Sequence, residues 1–430
     1  MRAFLRRHWI WFAVAAAVLL LPLGLRGDFA LSVCTKIGIA VVFALSDNLL
    51  LGQGGMLSFG HAVYSGLGAY FTIHALAAAG SGGAAIPVTL LPLVGGLAGM
   101  GFALLLGYVS TGRAGTPFAM ISLGVAELVA ACVLMLPAFF GGEAGVSANR
   151  VTGSGLFGIN YGSQIQVYYL VAGWTLLCVA AMHYLTHTPF GRLANAVRDN
   201  EERVGFIGYS THLLRFQVLV ISAAFAGVAG GLAAINDEIV TVESVGAHAS
   251  GTVLLMVFIG GIGHFIGPVI GAVVVTLLQT VVSAVTAAWM FYFGLLFLAM
   301  VLFAPGGFAA IFATLLPTLC SRRQLRLMLP GYLAGLVGLA ALLAAIVIAV
   351  ESGYHVAEHA FAGEFHLFGQ TFASGPAIPL AAALALAVVG GLIWRAALVR
   401  TNNARAVLAT QELIFGAHPA PATAAQGAKP

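Results

Sequence analysis

Apolar stretches close to twenty residues long recur from one end of the sequence to the other, and nothing else constrains the fold as strongly. They run roughly over residues 9–25, 30–51, 56–79, 86–109, 116–140, 165–187 and 216–235. A short piece near 250–260, a glycine-rich break, and segments near 266–284, 287–304, 327–350 and 377–398 follow. About 20 residues of helix cross a bilayer, and in lipid a helix satisfies its own backbone groups. The expected fold is therefore all-α, a polytopic integral membrane helical bundle of about ten to twelve hydrophobic segments, including a broken or re-entrant one. Composition agrees. The chain is 60% hydrophobic and 7% charged, where soluble domains hold roughly 45–50% and about 25%, so a water-soluble fold is excluded.

The net charge of +4 could suggest nucleic acid, but the basic residues form no continuous block and suit orientation in a membrane instead. Cytoplasmic loops collect Lys and Arg. With the N-terminus inside, the inner side receives Arg2, Arg6, Arg7, Arg113, Arg192, Arg198, Arg203, Arg215, Arg322, Arg323, Arg326, Arg395, Arg400, Arg405 and Lys429, leaving Arg26, Lys36 and Arg150 elsewhere. Exterior loops collect Glu143, Asp237, Glu238, Glu243, Glu351, Glu358 and Glu364. The first segment is read as a retained helix, since no A-x-A-like cleavage site follows it. The tail after His418 is Ala- and Pro-rich and expected to be disordered. Cys34, Cys132, Cys178 and Cys320 lie far apart without a CxxC pair and read as packing residues.

Small residues let membrane helices approach closely. Ser58, Ala62 and Gly66 recur every fourth residue, as do Ser222, Ala226, Gly230 and Ala234; both stripes read as packing seams, the alternative being a lining for a translocation path. The stretch Gly260-Gly-Ile-Gly-His-Phe-Ile-Gly-Pro268 interrupts an apolar run and reads as a re-entrant turn or a tight loop at the membrane face. In the long inner loop, Thr188 can cap a helix with Pro189 at its first position, and Gly208 can end it. Arg198 with Glu202, and Asp199 with Arg203, sit four apart and would support one short charged helix on the cytoplasmic surface. Such a helix is either a solvated connector or the piece through which a cytoplasmic motor moves a permease.

At this point the residues resemble a family. The run Leu51-Gly-Gln-Gly-Gly-Met-Leu-Ser-Phe-Gly-His-Ala-Val-Tyr-Ser-Gly-Leu-Gly-Ala-Tyr70 is similar to the signature of permeases in branched-chain amino-acid ABC importers. Phe118-Ala-Met-Ile-Ser-Leu-Gly-Val-Ala-Glu127 follows in order, then Thr188-Pro-Phe-Gly-Arg192 continuing to Arg198-Asp-Asn-Glu201. Gly260-Gly-Ile-Gly263 with Gly267-Pro268, and then Pro305-Gly-Gly307, complete the set. The match covers roughly residues 30–310 and most resembles the second of the two permeases in such systems.

The resemblance implies a transport subunit that is not itself an enzyme, beside a second permease, two ATP-binding subunits and an exterior solute-binding protein in a bacterial inner membrane. The inner helix becomes the ATPase-coupling loop, with Gly191, Arg192, Arg198, Asn200, Glu201 and Gly208 as its residues. Ser58, His61, Glu127 and His264 become candidates for the translocation path. Residues 1–310 are expected to form the permease domain, 311–400 an extension with two further transmembrane helices, and 401–430 a cytoplasmic tail. The extension departs from the family pattern, and so does Glu202-Arg-Val-Gly205.

A P-loop needs Gly-x4-Gly-Lys followed by Ser or Thr; Lys36 and Lys429, the two lysines, lack that setting. ATP and magnesium are therefore expected on partner subunits, with no cofactor or metal in this chain. Two other classes compete. An ion-coupled secondary transporter of small solutes would need ionisable groups near the midplane, for which Glu127 is the leading residue and Asp47 the next. A zinc enzyme is prompted by His355-Val-Ala-Glu358-His359, with His366 or Glu364 as a third ligand. His61 and His264 read first as packing histidines, with the path as the alternative.

Overall fold

The structure is a computed structural model that describes residues 11, 14–22, 24, 27–80, 86–151, 161–284, 286, 288–304, 306–320, 322–359, 365–367, 370–372 and 377–415. Arg2, Arg6, Arg7, Arg26, Pro305, Glu364 and the tail after His418 lie outside them. The chain divides into two compact units, Met1–Ile311 and Phe312–Pro430.

In the first unit, α1 (Asp28–Asn48) runs on into a π-helical turn over Leu49–Gln53. Then come α2 (His61–Gly80), α3 (Leu91–Ser110), α4 (Thr116–Met135) and α5 (Gln164–His187). Two short helices, α6 (Pro189–Asp199) and α7 (Glu201–Phe206), lead to the long α8 (Thr211–Asp237). The unit closes with α9 (Ala247–Gly260), α10 (Gly267–Leu277) and α11 (Trp289–Phe303), while α12 (Gly307–Cys320) crosses the division. Among the described residues, eight helices are long and apolar enough to cross a membrane, or nine if α11 and the start of α12, bent by 54°, form one span. The sequence segmentation expects ten to twelve. Much of the difference lies in Ala247–Gly260 and Gly267–Val282, which at 1.5 Å per residue are about 21 and 24 Å long, short of a hydrocarbon core of about 30 Å.

These two short helices turn back on each other. A methyl group on Gly260 would fall on the Gly267 carbonyl, and one on Gly271 on the Met256 carbonyl. Pairs that step backward along α9 and forward along α10 define an antiparallel hairpin. The Gly306–Gly307 backbone packs against Gly261 at its tip, so two glycine motifs separated by over forty residues of sequence meet.

The centre of the unit is a three-helix contact made by glycine. Gly68 of α2, Gly95 and Gly99 of α3 and Gly227 of α8 lie backbone to backbone, and Gly230 of α8 packs on the Ser65 carbonyl. Without a Cβ the axes approach closely enough for dispersion between backbones to hold them, which in lipid replaces the hydrophobic drive. Ala62, Ser222, Ala226 and Ala234, from the two expected stripes, are buried. The second stripe is a packing seam of α8, whereas in the first Ser58 precedes α2 and Gly66 packs on the 241–246 loop at Ser244 and Val245.

At the end of the bundle away from α6, strands β1 (Val146–Ser147) and β2 (Ile239–Val240) pair antiparallel. Arg150 binds them to α8. Its side chain donates to the Tyr161 carbonyl at 2.8 Å and the Asn236 carbonyl at 2.9 Å, and its backbone N–H donates to Glu238 Oε1 at 2.8 Å. A cation on the orphan carbonyls of a helix C-terminus is favourable, which accounts for an arginine on the side that charge asymmetry leaves poor in them.

The second unit is a helical hairpin of α13 (Arg322–His359) and α14 (Ala377–Phe415), joined through β3 (Phe365–Leu367) and β4 (Gln370–Phe372). Gly338 packs against Gly390 and Trp394, and Gly331 against Thr401.

Gly227→Val should lower the thermal unfolding midpoint in detergent by several degrees or abolish folding, because overpacking a tight contact costs about 1–3 kcal/mol or more. Gly101→Val, where nothing lies within 4 Å of an added Cβ, should leave the midpoint nearly unchanged in a detergent thermal-shift assay.

Candidate functional site

The signature run builds an irregular turn between α1 and α2. After Asn48 the helix widens over Leu49–Gln53, and Gly54 donates to the Leu49 carbonyl at 3.1 Å. Gly55 then takes φ +68°, a conformation open to glycine. A Cβ there would strike the Arg198 side chain, and one on Gly60 would strike the Ser122 carbonyl of α4. The glycines of this run therefore let two other elements sit directly on its backbone.

One of those elements is α6. Arg198 donates to the Gly52 carbonyl, and Asn195 Nδ2 donates to Gln53 Oε1 at 2.7 Å. Thr188 caps α6 by accepting from the Gly191 N–H at 3.3 Å, and Gly191 is required because its Cα lies against the backbone of Leu185 and Thr186. The single charged helix expected from Thr188 to Gly208 is instead two. Asn200 is extended, and its Oδ1 accepts from the Arg203 N–H at 3.0 Å to start α7 afresh. An Asn side chain competing for backbone donors favours a new cap over continuation. The expected four-apart pairs give way to Arg198 with Asp199 at 2.9 Å and Glu201 with Arg215. Gly208, at φ +94°, follows the end of α7. Arg192 is exposed on α6.

Arg215 is the residue the sequence reading missed. It lies one turn into α8 with its side chain 7% exposed, paired to Glu201 across the loop. Thr211 Oγ1 donates to the same carboxylate at 3.0 Å. Beyond this clasp, Phe206 and Ile207 are 88% and 73% exposed, with Tyr209 and Leu213 exposed beside them.

Behind the turn lies a buried polar cluster. His61 Nε2 is 2.9 Å from Ser46 Oγ, and its ring stacks on Phe43 with centroids 5.7 Å apart. Ser222 Oγ donates to the Ser46 carbonyl at 2.6 Å, and Ser250 Oγ accepts from the Ala62 N–H at 3.0 Å. α1, α2, α8 and the α9 half of the short hairpin are thus linked through one set of small polar groups. Ser58 is buried and accepts from the Gly60 N–H at 3.3 Å. Asp47 and Asn48 are buried, and their carboxylate and amide oxygens find no hydrogen-bond partner among the described residues.

The four path candidates are not gathered in one cavity. Ser58 is within the turn and His61 is the first residue of α2, whereas Glu127 is exposed on α4 and His264 is exposed in the break between α9 and α10. No group of three or more metal-ligating side chains occurs among the described residues; the side chains of His355, Glu358, His359 and His366 are outside them.

Residues 29–305 match the family model described as "Branched-chain amino acid transport system / permease component". Salmonella typhimurium (strain LT2) has a protein named high-affinity branched-chain amino acid transport system permease protein LivM. It is 28% identical over 309 residues, covering 66% of this chain and 70% of that relative. The Escherichia coli K12 protein of the same name is 28% identical over 293 residues, 63% of this chain and 66% of its own length. A Methanocaldococcus jannaschii protein, named probable branched-chain amino acid transport permease protein LivM, matches at 28% over 162 residues, 32% of this chain and 46% of its own. No solved structure matches.

Glu201→Gln should raise hydrogen-exchange rates across residues 189–206 several-fold, because it leaves the buried Arg215 guanidinium without its anion. Glu202→Gln, at an exposed neighbour, should leave them unchanged.

The matched family model spans the turn, the clasped loop and the glycine hairpin, and this multi-pass membrane protein belongs to the permease-component family of branched-chain amino acid transport systems.

Proposed function

We propose that the chain is the transmembrane permease subunit of an ATP-driven importer that moves branched-chain or related amino acids across a bacterial inner membrane by alternating access. It works beside a second permease, two ATP-binding subunits that hold ATP and magnesium, and an exterior solute-binding protein. Both termini and the α6–α7 loop face the cytoplasm. Residues 1–310 carry transport; 311–400 form the two-helix extension and 401–430 the tail.

The observation that carries this reading is the exposed apolar edge at Phe206 and Ile207, standing on a loop clasped to the transmembrane core. A solvated connector has no use for two large apolar side chains in water. A docking element for a cytoplasmic motor does. Force applied to α7 passes through Glu201 to Arg215 and thus to α8. Force on α6 passes through Arg198 and Asn195 to the π-helical turn at Gly52–Gln53. That turn leads to Ser46, His61 and Ser222, where the helices bounding a path would separate or close as rigid bodies. Ser58 and His61 then belong to the moving joint of the path. Gly191, Asn200 and Gly208 shape the loop.

Burying a large apolar side chain contributes about 1.5–3 kcal/mol, and 1.4 kcal/mol is tenfold in affinity. Replacing Phe206→Ser with Ile207→Ser should thus reduce ATPase subunits recovered with the tagged chain at least tenfold, with membrane insertion intact. Undiminished recovery would remove the docking role. Uptake in liposomes by the chain alone, without ATP, would instead establish an ion-coupled carrier.

A further inference from the structure

Glu127 stands in an environment that the described residues of its own unit do not explain. It is the twelfth residue of the twenty in α4, and at 1.5 Å per residue it lies about 12 Å or more from either end of the helix. It is exposed, and it makes no hydrogen bond or ion pair with any described residue. The opposite face of α4, with Phe118, Ser122, Ala126, Val129 and Val133, is the one buried in the bundle. Met120, Gly124, Glu127, Ala131 and Leu134 form the outward face, and an added Cβ on Gly124 meets nothing within 4 Å.

A carboxyl group at this depth does not face hydrocarbon; intramembrane acids face protein or water-filled cavities and find partners there. The outward face is otherwise apolar and shallow, with Gly124 and Ala131 on either side of the carboxyl, a relief that admits a neighbouring helix closely. The charge restricts who that neighbour is. Two copies of this chain meeting across α4 would oppose Glu127 to Glu127, and two carboxyl groups sharing a dry site disfavour each other's charge. We infer that the outward face of α4 is the docking surface for a second, non-identical permease, whose facing helix presents a hydrogen-bond donor or cation at the depth of Glu127. This placement rests on the reading that the chain works beside such a permease. It assigns Glu127 to subunit recognition, where the sequence offers the path.

The test uses the full complex in native membranes, with photoreactive benzoylphenylalanine placed at Gly124, at Ala131, or at Gly101 on the exposed face of α3 as control. Adducts to a non-identical permease from the α4 positions, with none from Gly101, are expected. Glu127→Leu should cut recovery of that permease at least tenfold, and Glu127→Gln, which keeps an acceptor, should restore most of it. An adduct to a differently tagged second copy would overturn the inference. So would co-purification of a second permease with no adduct at α4, which leaves the importer reading standing. If the wild-type chain retains no second permease at all, the reading and the placement fall together.

Discussion

A buried backbone that leaves the helix must find partners for its freed carbonyls inside the protein, and the rest of this structure is arranged around that demand at Gly52. The π-helical turn after α1 exposes a carbonyl that α6 satisfies through Arg198. Because α6 must stay in place to do so, its own start is fixed by Thr188 and Gly191, and its successor is fixed to α8 through Glu201 and Arg215. A soluble-looking loop thereby becomes part of the transmembrane core's hydrogen-bond system. Its apolar tip at Phe206 and Ile207 is left outside that system.

The elements legible in sequence were those set by hydrophobic length and helix caps. α1 to α5 and α8 fall close to the apolar runs, and Thr188 caps α6 as its position before Pro189 suggests. What sequence spacing missed was competition between local and distant partners. Arg198 and Glu202 are four apart, yet Asn200 recaps the chain between them and Gly52 takes the guanidinium. Arg215 was counted as a loop cation, and nothing local signals that it pairs with a residue fourteen positions earlier. Among the glycines, Gly66 and Gly230 stood out by their four-residue spacing. Gly68, Gly95, Gly99 and Gly227 did not, since their contacts join three separate helices.

The site residues divide the same way. Ser58 and His61 owe their positions to the signature turn and were findable from it. Ser46, Ser222 and Ser250 complete the cluster from three other helices; four-residue spacing marks Ser222, but Ser46 and Ser250, single serines in apolar runs, carry no mark of that role.

The glycine contact among α2, α3 and α8 has a mechanical consequence. Backbone laid on backbone has no rotamers to exchange, so this junction cannot adjust by repacking side chains. Deformation must instead collect where contacts pass through side chains, as they do at the joint between α1 and α2, where Ser46, His61 and Ser222 meet. The three-helix core is the fixed part against which that joint, built from the most motif-rich run of the sequence, would move.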